Sequence, residues 1–184
     1  MQQQLAEVVD SLKAAQARLR ALTDRLSDSE WSEKPEPDRW SPAECVEHLN
    51  LTARAYMPLL HDAVARARKM GRRTRSKYRR DAIGWLMSIM IAPRHAGKVP
   101  LPRVKTTPDF VPKGGRSRTA ILSDFVQLHG ALIALSQSAD GLPIDDVKVT
   151  SPFGGRMKYN AYSALVIIAR HDDRHLQQAE EASR

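Results

Sequence analysis

The sequence predicts an all-α fold, a four-helix bundle made by a single domain over residues 1–184, and three observations carry that expectation. Apolar side chains recur at steps of three and four residues in four separate stretches, the spacing that gathers them on one face of a helix. The segment Ser41-Pro42-Ala43-Glu44 is a complete helix-start signal. It supplies a serine to accept from free N–H groups, a proline at the first helical position and a glutamate that closes a capping box. No internal repeat or low-complexity tract interrupts a chain of 184 residues, a length that suits one core.

The first helix is expected over 2–27, with Leu5, Val8, Leu12, Ala15, Leu19, Leu22 and Leu26 as its apolar stripe. Residues 28–40 hold Pro35, Pro37 and several charges and read as a loop, with Trp31 and Trp40 as anchors against the bundle. The second helix spans 42–67 and turns Cys45, Leu49, Thr52, Tyr56, Leu59 and Ala63 inward. Pro58 should bend it, because the ring removes one hydrogen bond and crowds the preceding turn. Asp81 to Ala92 suggests a short apolar helix. Residues 93–116 hold five of the eleven prolines, so the chain from 66 to 116 is expected as a long, mostly irregular insertion where a pocket rim or lid would be built.

The third helix covers 118–138 through Ile121, Phe125, Leu128, Leu132 and Leu135, and Asp140-Gly141-Leu142-Pro143 ends it. Val147 and Val149 suit a short strand, with nothing nearby that offers a sheet. Asn160 caps a fourth helix over 161–182, whose inward side carries Ala164, Leu165, Ile168, His175 and Ala179.

Composition removes several classes. With 42% apolar and 27% charged residues the chain is that of a globular protein rather than a disordered one. A single cysteine, Cys45, forms no internal disulfide, and no signal-peptide pattern opens the chain, so the cytoplasm is the expected compartment. The apolar run from Ala82 to Ala92 is about half of the ~20 residues a membrane span needs, and no membrane association is expected.

The net charge of +8 is concentrated in one place. Arg66, Arg68, Lys69, Arg72, Arg73, Arg75, Lys77, Arg79 and Arg80 fall together with no acid among them. This run lacks interleaved aromatic residues apart from Tyr78 and matches no nucleic-acid-binding signature. It is expected as an exposed, solvated arm beside the pocket that draws in anionic small molecules by its field.

The candidate chemistry lies in the histidines. His171 and His175 stand four apart, one turn apart on a single helix face, a spacing that a divalent ion can bridge. On a helical wheel both fall between Ile167 and Ile168, in line with Ala164, and so face the core, where an unpaired imidazole is costly and a metal relieves the cost. His48 lies at the edge of the arc of Cys45, Leu49 and Thr52 and can face the same interior from the second helix. His129 reads as a core or pocket-wall histidine rather than a fourth ligand, and Cys45 as a small buried thiol. Tyr56 either lines the pocket or packs, and His61 and His95 carry no signal.

Two motifs add a family resemblance. Trp40-Ser41-Pro42-Ala43-Glu44 followed by Glu47-His48-Leu49, opening a helix after a tryptophan-containing loop, resembles the second-helix signature of the DinB-like (YfiT-like) superfamily. The ending His171-Asp172-Asp173-Arg174-His175-Leu176-Gln177-Gln178 resembles that family's last-helix signature. The resemblance implies a four-helix bundle holding one divalent ion on three histidines, which here are His48, His171 and His175. It also implies metal-dependent chemistry on a small molecule, either transfer of a low-molecular-weight thiol or hydrolysis, and pairing as a homodimer. The long basic and proline-rich segment 66–116 departs from the family pattern.

Three neutral imidazoles leave the ion its full charge and at least one open position, the arrangement of a catalytic site. Zinc, nickel and iron all accept imidazole, so the ligand set does not select one. Asp172 and Gln178 either orient an imidazole N–H or are simple surface groups. A metalloprotease is excluded by the base, since Asp172 stands where that motif has glutamate. The alternatives to an enzyme are a metal-holding bundle without turnover and a basic binder of nucleic acid or anionic surfaces through residues 66–80.

Overall fold

The computed structural model describes residues 1–74, 77–93, 106–154 and 156–184. Four long helices dominate it: α1 (Gln3–Arg25), α3 (Pro42–Lys69), α5 (Arg118–Ser138) and α6 (Ala161–Ala182). Two shorter helices, α2 (Asp28–Ser32) and α4 (Ala82–Met90), and an antiparallel pair of three-residue strands, β1 (Lys148–Thr150) and β2 (Lys158–Asn160), complete the regular structure. α1 and α3 each pack against both α5 and α6.

Local chemistry fixes where these helices begin. Ser41 and Glu44 exchange the two hydrogen bonds of a capping box at the head of α3, with Pro42 as its first residue. Ser117 caps α5 through the Ala120 amide, and Asn160 caps α6 through that of Ser163. α3 continues through Pro58, which lies on its outer side, and buries Leu60 where the spacing suggested Leu59.

Between the helices the core has two parts. One gathers Leu12, Tyr56, Leu132, Tyr159 and Ile168, and the other gathers Leu22, Trp31, Cys45, Phe125 and Leu176. His48 and Thr52 on α3 sit where the two parts meet, since Leu49 belongs to one and Ala53 to the other.

Three expectations need correction. Residues 28–40 are not all loop, because Ser27 and Glu30 form a second capping box that starts α2 and seats Trp31 at 2% exposure. The strand at Val149 does find a partner, pairing with Tyr159 across the turn that carries Phe153.

The basic run, finally, is exposed at most of its described residues as expected, but it is tied to the fold rather than free. Arg66 bonds to Asp62 and to the Lys148 carbonyl, Arg72 to Asp146, and Thr74 to Asp145 and Gly141. The Tyr78 ring is buried with its hydroxyl on the Ala139 carbonyl. This segment starts at the C-terminal end of α3, which 21 residues of helix at 1.5 Å rise set about 30 Å from His48, and it returns to α4 at Arg80, which shares Ser88 with Arg170. Residues 94–105 of the expected insertion, with His95, and Arg75 of the basic run lie outside the described residues.

Candidate metal centre

His48 enters the interior two turns into α3, while His171 and His175 enter from α6. Their ring centroids lie 4.4 to 4.9 Å apart, and one nitrogen from each falls within 4.8 Å of the others. The side chains are nearly sealed from solvent, at 3%, 7% and 9% exposure respectively.

One backbone carbonyl sets the polarity of the cluster. His48 Nδ1 donates to the Phe110 carbonyl at 2.7 Å, which leaves the lone pair on Nε2. That Nε2 stands 3.1 Å from His171 Nε2. Two nitrogens bound to one ion at about 2.1 Å stand roughly 3.0 to 3.4 Å apart for octahedral or tetrahedral angles, so the spacing suits shared ligation. His171 Nδ1 and His175 Nδ1 are buried and meet no hydrogen-bond partner among the described residues.

Electrostatics keep the rings neutral. Burial lowers the His48 pKa to about 4 against the opposing pull of the Phe110 carbonyl. His171 and His175 lie well below the ordinary histidine value, first through burial and then through His48 and the Arg174 guanidinium, with His175 adding to the effect on His171. Gln178 works the other way on His175, favouring its charged form by a hydrogen bond. Unprotonated imidazoles with converging nitrogens and unpartnered buried atoms fit a cation.

Aromatic rings flank the site. Trp40, from the loop before α3, lies 4.9 Å from the His48 ring and 5.8 Å from that of His175. Phe153, from the turn between β1 and β2, lies 5.7 Å from His171 and 4.4 Å from Phe110. Phe110 itself ends a single turn of 3-10 helix, Pro108–Phe110. Its segment is tied down by Arg116, which bonds to Glu47 at 3.0 Å and to Asp124 at 2.7 Å.

The other candidates fall elsewhere. His129 is wholly buried on α5, between the Phe125 carbonyl and Asp172, and is not part of the cluster. Asp172 therefore meets that histidine rather than one of the three converging rings. Tyr56 shares its hydroxyl with Tyr159 and is separated from His171 by Phe153. The Cys45 thiol packs in the core with its pKa pushed up to about 12 by burial, so it offers no thiolate. Phe110 and Phe153 escaped the sequence reading. A backbone acceptor has no sequence signature, and a lone phenylalanine in a turn has only a weak one.

A mostly helical fold with three inward imidazoles from two helices describes a protein able to hold one divalent ion on histidine nitrogens alone. The sequence pattern that defines the DinB superfamily matches residues 11–179 of the 184, and the chain belongs to that superfamily. No curated protein and no solved structure matches it.

Proposed function

We propose that this chain is a four-helix bundle of the DinB superfamily, with the segment between α3 and α5 as an insertion, and that it binds one divalent metal ion at His48, His171 and His175 to act on a small molecule. The observation that carries the reading is the His48 ring, held by the Phe110 carbonyl so that its bare nitrogen meets His171 Nε2 at 3.1 Å. An ion bound there supplies Lewis acidity, which favours the anionic form of a thiol or water at neutral pH.

The protein's own groups set the conditions. His48, His171 and His175 stay unprotonated through burial, and Arg174 reinforces this by its charge. Trp40, Phe110 and Phe153 exclude bulk water, which strengthens every charge interaction inside. Thiol transfer and hydrolysis are the reactions this arrangement suits. A second reading, a metal-holding bundle without turnover, draws on the closure of the site, whose three rings are each less than a tenth exposed.

The homodimer implied by the superfamily would use the outer face of α5. Val126 is 61% exposed there, on a helix whose only charges are Arg118 and Asp124. Light scattering on the wild type and on Val126→Glu tests this arm separately.

The deciding measurement is the metal content of protein purified without an affinity tag. About one divalent ion per chain is expected, followed by loss of any thiol-transfer or hydrolytic activity on chelation and its return on adding the ion. A chain that binds no divalent ion overturns the proposal. One that binds metal yet turns over no thiol or ester substrate supports the second reading.

A further inference from the structure

Most of the arginines fixed in the fold lie against carboxylates. Arg18 meets Asp173 and Glu180, Arg72 meets Asp146, and Arg116 meets Glu47 and Asp124. Arg80 and Arg170 differ. Arg80 Nη1 donates to Ser88 Oγ at 2.7 Å, and Arg170 Nη1 donates to the Ser88 carbonyl at 2.9 Å. Among the described residues neither forms an ion pair. Two guanidinium groups are thus fixed on one fully buried serine of α4 with no acid between them.

Such a pair is unfavourable by itself. Like charges held close together repel, and burial removes the water that would screen them. A guanidinium has five N–H donors in a planar fork, and one bond to Ser88 leaves most of them for another acceptor. Among the described residues no carboxylate bonds to either guanidinium, and there is space beside them for an anion. Arg80 and Arg170 line a groove of about 460 Å³ between α1 and α6. Its floor includes the apolar Val8, Ala15 and Val166 beside Tyr162, and it is also lined by Glu7 and by Arg18, which is paired with Asp173. This volume falls within the range of about 300 to 1,000 Å³ that small organic ligands occupy.

We infer that this groove is a binding site for a small organic anion, with a carboxylate or phosphate held by Arg80 and Arg170 and an apolar body lying along α1 and α6. The site is distinct from the histidine cluster. At about 100° per residue, Val166, Ala169 and Asp173 of the groove wall point roughly 140 to 160° away from His171 around α6. A bidentate contact from either arginine matches the geometry of both acid groups. The apolar floor favours a chain or ring over a bare ion.

The test uses the full chain at about 150 mM salt, where exposed charges are largely screened. The probes are octanoate, octyl phosphate, inorganic phosphate and the neutral 1-octanol, followed by calorimetry. Octanoate or octyl phosphate should bind at one saturable site, at least tenfold more tightly than octanol and inorganic phosphate. The preferred member of the pair identifies the acid group. Arg80→Gln and Arg170→Gln should each weaken binding about tenfold or more. Should either variant loosen α4, Ala169→Leu provides an independent check by narrowing the groove while leaving both arginines in place, and it should abolish binding.

Prior chelation of metal, and the variant His171→Ala, should leave octanoate binding unchanged. Equal affinity for octanol, or unaltered binding in both Arg170→Gln and Ala169→Leu, overturns the inference. Loss of binding on chelation also overturns it, because the anion would then sit at the histidines. Apart from the chelation arm, none of these results bears on whether the histidines hold a metal.

Discussion

His129 Nε2 lies 2.9 Å from Asp172 Oδ2, and neither side chain is more than 1% exposed. The other ring nitrogen donates to the Phe125 carbonyl at 3.0 Å, so the Nε2 to Oδ2 contact carries a second proton, held by the ring or by the carboxyl. The pair ties α5 to α6 one residue from His171 and thereby fixes which way α6 faces. Asp172→Ala should destabilise the protein by about 3 kcal/mol, the range for a broken buried pair. Asp172→Asn should cost only about 1 kcal/mol, because its amide can donate to a neutral ring. Urea unfolding of both variants checks the order, and an equal loss in the two would contradict this account.

Removal of a single imidazole should uncouple metal from stability. A ligand that binds only the folded chain at 100 times its Kd stabilises it by about 2.7 kcal/mol. For His171→Ala and His175→Ala, the rise in Tm on adding zinc or nickel should vanish and the retained metal should fall below a tenth of the wild-type content. Thermal scans on dialysed protein read both quantities.

The metal-free protein should lose stability in acid. An unfolded histidine titrates near ~6.5, whereas in the fold His48 is held to about 4 and His171 and His175 lie well below their ordinary value. The unfolded chain therefore takes up protons first as the pH drops. The contribution of these groups is complete above the unfolded value and declines as the pH falls towards the folded ones, by up to about 1.4 kcal/mol per pH unit for each ring. Chelated protein unfolded at several pH values between 7.5 and 4.5 should show this decline, and His171→Gln should make it shallower. A flat profile would show that the rings take up protons in the fold as readily as in the unfolded chain.

Gly84 marks a close approach of α4 to α6. A Cβ built there overlaps the Cβ and Oγ of Ser163, which is itself 0% exposed. Gly84→Ala should therefore destabilise by about 1 to 3 kcal/mol despite the better helix propensity of alanine. Gly130→Ala meets open space on α5 and should be neutral or stabilising, so the two variants compared by thermal melting separate steric cost from helix propensity.

Much of this protein is legible from spacing alone. The four long helices follow the three-and-four pattern to within a few residues at each end, and the inward arc of α6 places His171 and His175 together before any contact is known. What stays hidden has specific causes. The helix at Asp28 carries the same serine-and-glutamate signal as α3, yet the nearby prolines draw the eye to a loop. The partners of the basic run, Asp145 and Asp146, lie some 70 residues away on a short turn, and no local pattern announces that pairing. Asp172 is adjacent to a candidate ligand in sequence but serves a histidine on another helix.

The position of Trp40 gives the histidine cluster a built-in optical signal. Its indole lies close to the rings of His48 and His175, whereas Trp31 is sealed in the core and Trp85 is 52% exposed on α4. Paramagnetic nickel or copper on those histidines would quench the emission of Trp40 first, an iodide ion in solution would reach Trp85, and neither would touch Trp31. Three tryptophans in three surroundings thus divide the fluorescence of the chain into a channel for the site, one for the outer helix and an internal reference.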